Sequence, residues 1–106
     1  MKLELKDIII PGECKNIEDI RAQIDAIDKL ILKALGLRFQ FVKEVVKFKN
    51  KDFESIKAQD RYEMVLNKRR EWAVENGLNP DVIENIYKEL IHHFIDEEMK
   101  IINQEK

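Results

Sequence analysis

From Ile17 to Phe48, one position recurs at alternating intervals of three and four residues. It is filled by Ile17, Ile20, Ile24, Ile27, Ile31, Ala34, Arg38, Phe41, Val45 and Phe48. This is the a/d register of a helix that packs lengthwise against another helix. Asn16 is a good N-cap residue, and Glu18 and Asp19 put negative charge in the first turn. The spacing predicts one helix from Ile17 to Lys49, roughly 50 Å long at ~1.5 Å per residue. Leu32, Leu35, Phe39, Val42 and Val46 add a second stripe, so the C-terminal half should pack on a wider face. A chain of 106 residues forms a globule only about 35 Å across. Such a helix cannot bury its seam within its own chain. A symmetric homodimer, each long helix lying along its mate, is the expected solution. The alternatives are a kink at Gly36 or a monomer with a projecting helix.

Residues 50–58 interrupt the periodicity and read as a polar connecting loop. A second helix is predicted from about Gln59 to Asn76, with Tyr62, Val65, Leu66, Trp72 and Ala73 apolar and Gly77 as its stop. Asn79 then caps a third helix whose first position is Pro80. Its stripe runs through Ile83, Tyr87, Leu90, Ile91, Phe94, Ile95, Glu98 and Ile101. The predicted fold is therefore all-α, with three helices per chain, one of them very long. Residues 1–15 are read as an N-terminal extension and residues 16–106 as one helical domain. Charged residues make up 38% of the chain against only 3 Gly and 2 Pro, which suits long amphipathic helices better than sheets.

A net charge of -2 leaves no basic surplus to neutralise phosphates, so no nucleic-acid partner is expected. No apolar run approaches the ~20 residues of a membrane span, so no membrane partner is expected either. Residues 1–15 lack the features of a signal peptide. Cys14 is the single cysteine, which fits a reducing cytoplasm and a chemically incidental thiol.

Two polar residues fall where the pattern asks for apolar ones. Arg38 occupies an a position, and burying a guanidinium there requires something anionic to meet it. Glu98 lies four residues after Phe94 and seven after Ile91, on the stripe of the third helix. Desolvation on that stripe favours the neutral acid, although a nearby cation would oppose this. Arg21 and Lys49 flank the seam at e positions. Each has a plain reading as well: Arg21 and Lys49 as solvated flanking charges, and Arg38, Lys49 and Glu98 as members of structural ion pairs. Arg21 and Arg38 are about 25 Å apart along one helix, and Arg21 and Lys49 about 42 Å. No small ligand spans Arg21 and Lys49 of the same chain. Antiparallel pairing of two copies would carry Arg21 of one towards Arg38 and Lys49 of the other, making a cationic site suited to a small dianion.

The stretch IEDIRAQIDAIDKLILKALGLRFQFVKEVVKFK closely resembles the first helix of the all-helical chorismate mutases, matching its basic motif at Arg21, Arg38 and Lys49. AQDRYEMVL is similar to the start of that family's second helix and places its arginine at Arg61. NGLNPDVIENIYKELIHHFIDEEMK resembles the third helix, with Glu98 where the family has Gln or Glu. Within the family, PGEC before the first helix and REWAVENGL at the end of the second resemble the subgroup of isochorismate-pyruvate lyases. The resemblance implies an intertwined dimer with two active sites. It implies that Arg21 comes from the partner chain, while Arg38, Lys49, Arg61 and Glu98 come from the other. The chain departs from well-studied bacterial mutases at Ala58 and Tyr62, where those enzymes place acidic side chains that receive the ring hydroxyl. This departure bears on the substrate.

The reaction so implied is pericyclic: chorismate rearranges to prephenate, or isochorismate releases pyruvate to give salicylate. Neither needs a nucleophile, metal or cofactor, and none is expected. His92 and His93 point to different helix faces without metal-ligand spacing, and read as surface or packing residues. Catalysis would come from confinement and fixed charge. Arg21 and Arg38 would clamp the carboxylates, while Lys49 and a protonated Glu98 donate to the ether oxygen as its C–O bond breaks. Val45, Ile91 and Phe94 would line the site, and residues 50–58 would form a lid. A non-catalytic helical dimerisation module is the reading from a different class.

Overall fold

The computed structural model describes residues 4–48 and 54–104. Every regular element among them is helical, and the chain packs as two compact units, Met1–Phe41 and Val42–Lys106.

The first unit begins with two single 3-10 turns, Leu5–Asp7 and Pro11–Glu13, and continues into the long helix α1, Ile17–Val45, which belongs to it through Phe41. Asn16 caps α1 as anticipated: its Oδ1 accepts the Asp19 N–H at 2.8 Å. Asp19 reaches back, its Oδ2 accepting the Lys15 N–H at 3.0 Å. The extension is tied to the helix where the Ile9 N–H donates to Gln23 Oε1 at 3.1 Å. No residue of α1 is buried. Of its seam, Ile27 and Arg38 are half-buried, whereas Ile24 is 51% exposed and Phe41 65%. A single chain thus leaves most of this apolar stripe open to water. Gly36 does not interrupt the helix.

The second unit holds the end of α1, a 3-10 turn at Val46–Phe48, and helices α2, Glu54–Glu75, and α3, Pro80–Gln104, which pack against each other. Among its described residues, Val65, Leu66 and Ala73 of α2 and Phe94 of α3 are buried. The anticipated α3 stripe is half-buried or buried at every position except Ile95, which is 46% exposed. One residue past Phe94, Ile95 is turned about 100° away from the packed face.

The turn between α2 and α3 is a Schellman motif. The Leu78 N–H donates to the Ala73 carbonyl at 2.8 Å and the Gly77 N–H to that of Val74 at 3.1 Å, with Gly77 at φ 73°. Asn79 Oδ1 then accepts from the Asp81 and Val82 N–H groups at 2.8 and 3.3 Å, and Pro80 is the first helical residue.

Two boundaries differ from the sequence expectation. The α-helical part of α1 stops at Val45 and tightens into the 3-10 turn, a frequent helix ending; Lys49 lies outside the described residues. Helix α2 starts at Glu54 rather than near Gln59. The segment ESIKAQ lacks Gly and Pro and is mostly good helix formers, so propensity carries the helix through a stretch whose polarity suggests a loop. The anticipated lid thereby loses residues 54–58 to α2, and residues 50–53 lie outside the described residues.

Candidate active site

The anticipated site residues fall on three helices. In the first unit, Arg21 is exposed near the start of α1, its Nη1 3.9 Å from Glu18 Oε1 one turn earlier. Arg38 is half-buried on the same helix, 17 positions on and so about 25 Å away along the axis. In the second unit, Val45 is 46% exposed at the end of α1. Arg61 is exposed on α2, while α3 carries half-buried Ile91, buried Phe94 and half-buried Glu98.

The α2–α3 hairpin brings four of these residues onto neighbouring helices. Its register is marked by the Tyr62 hydroxyl, 3.4 Å from His92 Nε2 across the pair. With Tyr62 level with His92, and α3 running antiparallel to α2, Arg61 and Glu98 are offset by about 8 Å along the hairpin axis.

Three polar features of the hairpin were not anticipated. Arg69 lies on the packed side of α2, its Cζ 4.7 Å from the centre of the Trp72 ring and 5.5 Å from that of Tyr87. The spacing Tyr62, Val65, Leu66, Arg69, Ala73 would have shown it, because it sits on the apolar stripe. Arg70 Nη1 donates to Asp81 Oδ1 at 2.8 Å and lies 3.8 Å from Glu84 Oε1. The hydrogen bond to Asp81, helped by the charges of Asp81 and Glu84, raises the Arg70 pKa further above its ordinary value. The third feature is the Tyr62–His92 contact itself, whose partners are 30 residues apart in sequence. Neither the Arg70 pair nor the Tyr62–His92 contact is visible in local sequence signals.

The described elements are all helical, with Arg21 and Arg38 on the first helix and Arg61 and Glu98 on the hairpin. Residues 20–99 match the family model of chorismate mutase type II. The chain belongs to that family and is an enzyme of it. It is 38% identical over 94 residues to the isochorismate pyruvate lyase of Pseudomonas aeruginosa, covering 89% of this chain and 92% of the relative. It is also 33% identical over 72 residues to the T-protein of Enterobacter agglomerans and 29% identical over 72 residues to that of Haemophilus influenzae. Those matches cover 68% of this chain but only 19% of each T-protein. Family membership sets aside the reading as a non-catalytic dimerisation module. No described helix is long and apolar enough to cross a membrane.

Proposed function

We propose that this enzyme catalyses a concerted pericyclic reaction on an enolpyruvyl cyclohexadiene dicarboxylate, and that isochorismate is its preferred substrate, yielding salicylate and pyruvate. The observation that carries the preference is the likeness to an isochorismate pyruvate lyase across nearly the full length of both chains. In that reaction the ring C–O bond of the enol ether breaks and a ring hydrogen passes to the enolpyruvyl methylene carbon. The ring becomes aromatic. No group on the protein needs to be consumed.

The role of the chain is to hold and polarise. Arg38, with Arg21 from a second copy, clamps the two carboxylates, and Arg61 adds a further cation. Lys49 and Glu98, the latter as the neutral acid, donate to the ether oxygen as negative charge develops there. Val45, Ile91 and Phe94 supply apolar walls that confine the reactive conformer. The second copy is supported by the open stripe on α1, where Ile17, Ile20, Ile24 and Ile31 are each close to half exposed. Burial of such a stripe stabilises association by roughly 25 cal/mol per Å² of apolar area. In this reading residues 16–106 act as one domain within an intertwined homodimer, and residues 1–15 are an extension.

The family match favours a second reaction, the rearrangement of chorismate to prephenate, at the same site. Incubating the enzyme separately with isochorismate and with chorismate, and measuring salicylate, pyruvate and prephenate, decides between them. Greater kcat/KM for prephenate formation reverses the order proposed, and absence of all three products refutes both.

A further inference from the structure

The extension before α1 is tied along one flank of that helix and leaves apolar side chains facing water. The Ile9 N–H donates to Gln23 Oε1 at 3.1 Å and the Lys15 N–H to Asp19 Oδ2 at 3.0 Å. Between Ile17 and Ala34 the half-buried residues are Asp19, Gln23, Ala26, Ile27 and Leu30. With Ile17 as a, Gln23 and Leu30 are g positions, Asp19 and Ala26 adjoin them at c, and Ile27 is the neighbouring d. Arg21, an e position, stands on the other side of the seam. Of the described extension only Ile8 and Cys14 are half-buried, whereas Leu5, Ile9 and Ile10 are exposed, Ile10 by 65%. Ile9 and Ile10 thus stand beside the seam at the level of Gln23, open to a further apolar surface.

Such a surface exists further along the same flank of α1. Leu37, the next g position after Leu30, is 54% exposed, and the adjoining seam residue Phe41 is exposed as well. Within one chain Leu37 lies about 21 Å along the axis from Gln23, out of reach of Ile9 and Ile10. Antiparallel pairing removes that distance. The stripe from Ile17 to Phe48 is centred between Leu32 and Lys33, so full overlap of two copies sets Ile24 against the partner's Phe41. Gln23, and Ile9 and Ile10 with it, is then level with the partner's Val42. The two-fold axis stands perpendicular to the plane of the helix pair, so both g flanks share one face and both Arg21 residues the other. Ile9 and Ile10 of one copy therefore lie beside the partner's Phe41 and about 8 Å along the axis from the partner's Leu37.

We propose that the extension is a clasp between two copies of this chain, in which Ile9 and Ile10 close over the partner's Phe41 and the partner's Leu37. The inference rests on the antiparallel homodimer of the reading above. Each dimer makes the contact twice, once from each copy. Because the extension lies across the seam from Arg21, it serves association and leaves the reaction untouched.

Sedimentation over a dilution series compares the wild-type protein with Ile9→Ser/Ile10→Ser, with Leu37→Ser and with all three substitutions together. Each of the first two is expected to raise the dimer dissociation constant by about 10-fold or more. The combination should raise it by less than the product of the two, since both sides of one contact are then removed. At protein concentrations that keep the dimer intact, kcat should equal that of wild type. Proximity is read separately. Chains carrying Ile10→Cys and Leu37→Cys, each also with Cys14→Ser, are mixed and treated with a short bis-maleimide, and mass spectrometry should show a covalent pair containing one chain of each kind. Undiminished dimer affinity in the Ser variants overturns the inference, as does absence of the mixed pair where native mass spectrometry finds hybrid dimers; the extension then covers only its own helix. A fall in kcat of the intact dimer also overturns it. If the wild-type protein is a monomer, the paired reading fails and takes this one with it. A wild-type dimer indifferent to the substitutions removes this inference alone.

Discussion

The Arg69 guanidinium carbon lies 4.7 Å from the centre of the Trp72 ring, three residues further along α2. Tyr87, across the hairpin, offers a second ring at 5.5 Å. The Arg69 Nε is buried without a hydrogen bond, so stacking on the rings, rather than polar pairing at that atom, accounts for its place. A planar guanidinium can lie along an aromatic face in a way that a lysine ammonium cannot. We predict that Arg69→Lys lowers unfolding stability by about 1 kcal/mol. Arg69→Met, which keeps an apolar stem and removes the unmet donor, should stay within about 0.5 kcal/mol of wild type. Urea unfolding at one fixed protein concentration measures both, and a Lys variant as stable as wild type would dismiss the stacking account.

Gly77 closes α2 at φ 73°, a conformation that crowds any Cβ against its own backbone. Nothing else lies within 4 Å of where that Cβ would stand. The cost of a side chain is therefore local strain with no clash added. Gly77→Ala is expected to lose about 1 kcal/mol, and Gly77→Asn clearly less, because asparagine tolerates the left-handed region. Equal losses in thermal unfolding would show that something other than backbone conformation limits the turn.

These two residues also mark what could be read in advance. The α2–α3 turn was legible because Gly77, Asn79 and Pro80 each act locally, through φ, a side-chain cap and a missing N–H. The spacing on α2 places Arg69 on the apolar stripe, but its contact with Tyr87 exists only once α3 is packed beside it. The start of α2 lies earlier than the polarity of its first turn suggests, because helix propensity, which does not depend on burial, decides the outcome at Glu54. Among the proposed site residues, Arg38 and Glu98 stand out because each breaks an apolar stripe, and both are half-buried. Arg61 is exposed and breaks no pattern. Only its place in the family motif singled it out. The Tyr62–His92 pairing, between residues 30 apart in sequence, needed the hairpin register.

Glu98 is assigned the donor role of a neutral acid at the ether oxygen. A carboxylate cannot donate, whereas the amide of glutamine donates at any working pH. Glu98→Gln should therefore keep most of the wild-type kcat. Loss of a donor at this position, as in Glu98→Ala, should cost about 2.7–4 kcal/mol of transition-state stabilisation, a 100-fold to 1,000-fold fall in kcat. If Glu98→Gln loses as much kcat as Glu98→Ala, a donor at this position plays no part.

A site assembled from two chains makes a prediction that no single-chain site shares. In the proposed shared site, Arg21→Ala removes the residue that each copy would lend to its partner, and Lys49→Ala one that each copy would keep, so either variant alone would have two damaged sites per dimer. After mixing, a hybrid dimer combines Arg21 from the Lys49→Ala chain with Lys49 from the Arg21→Ala chain in one site. Both defects collect in the other. Random exchange at equal concentrations makes half of the dimers hybrids, so about a quarter of all sites should be intact and activity should return to about that fraction of wild type. Native mass spectrometry establishes that hybrids have formed, and turnover of the preferred isomer reads the recovery. Hybrids with no recovered activity would return Arg21 to its own chain, and a protein that is monomeric throughout would remove the shared site altogether.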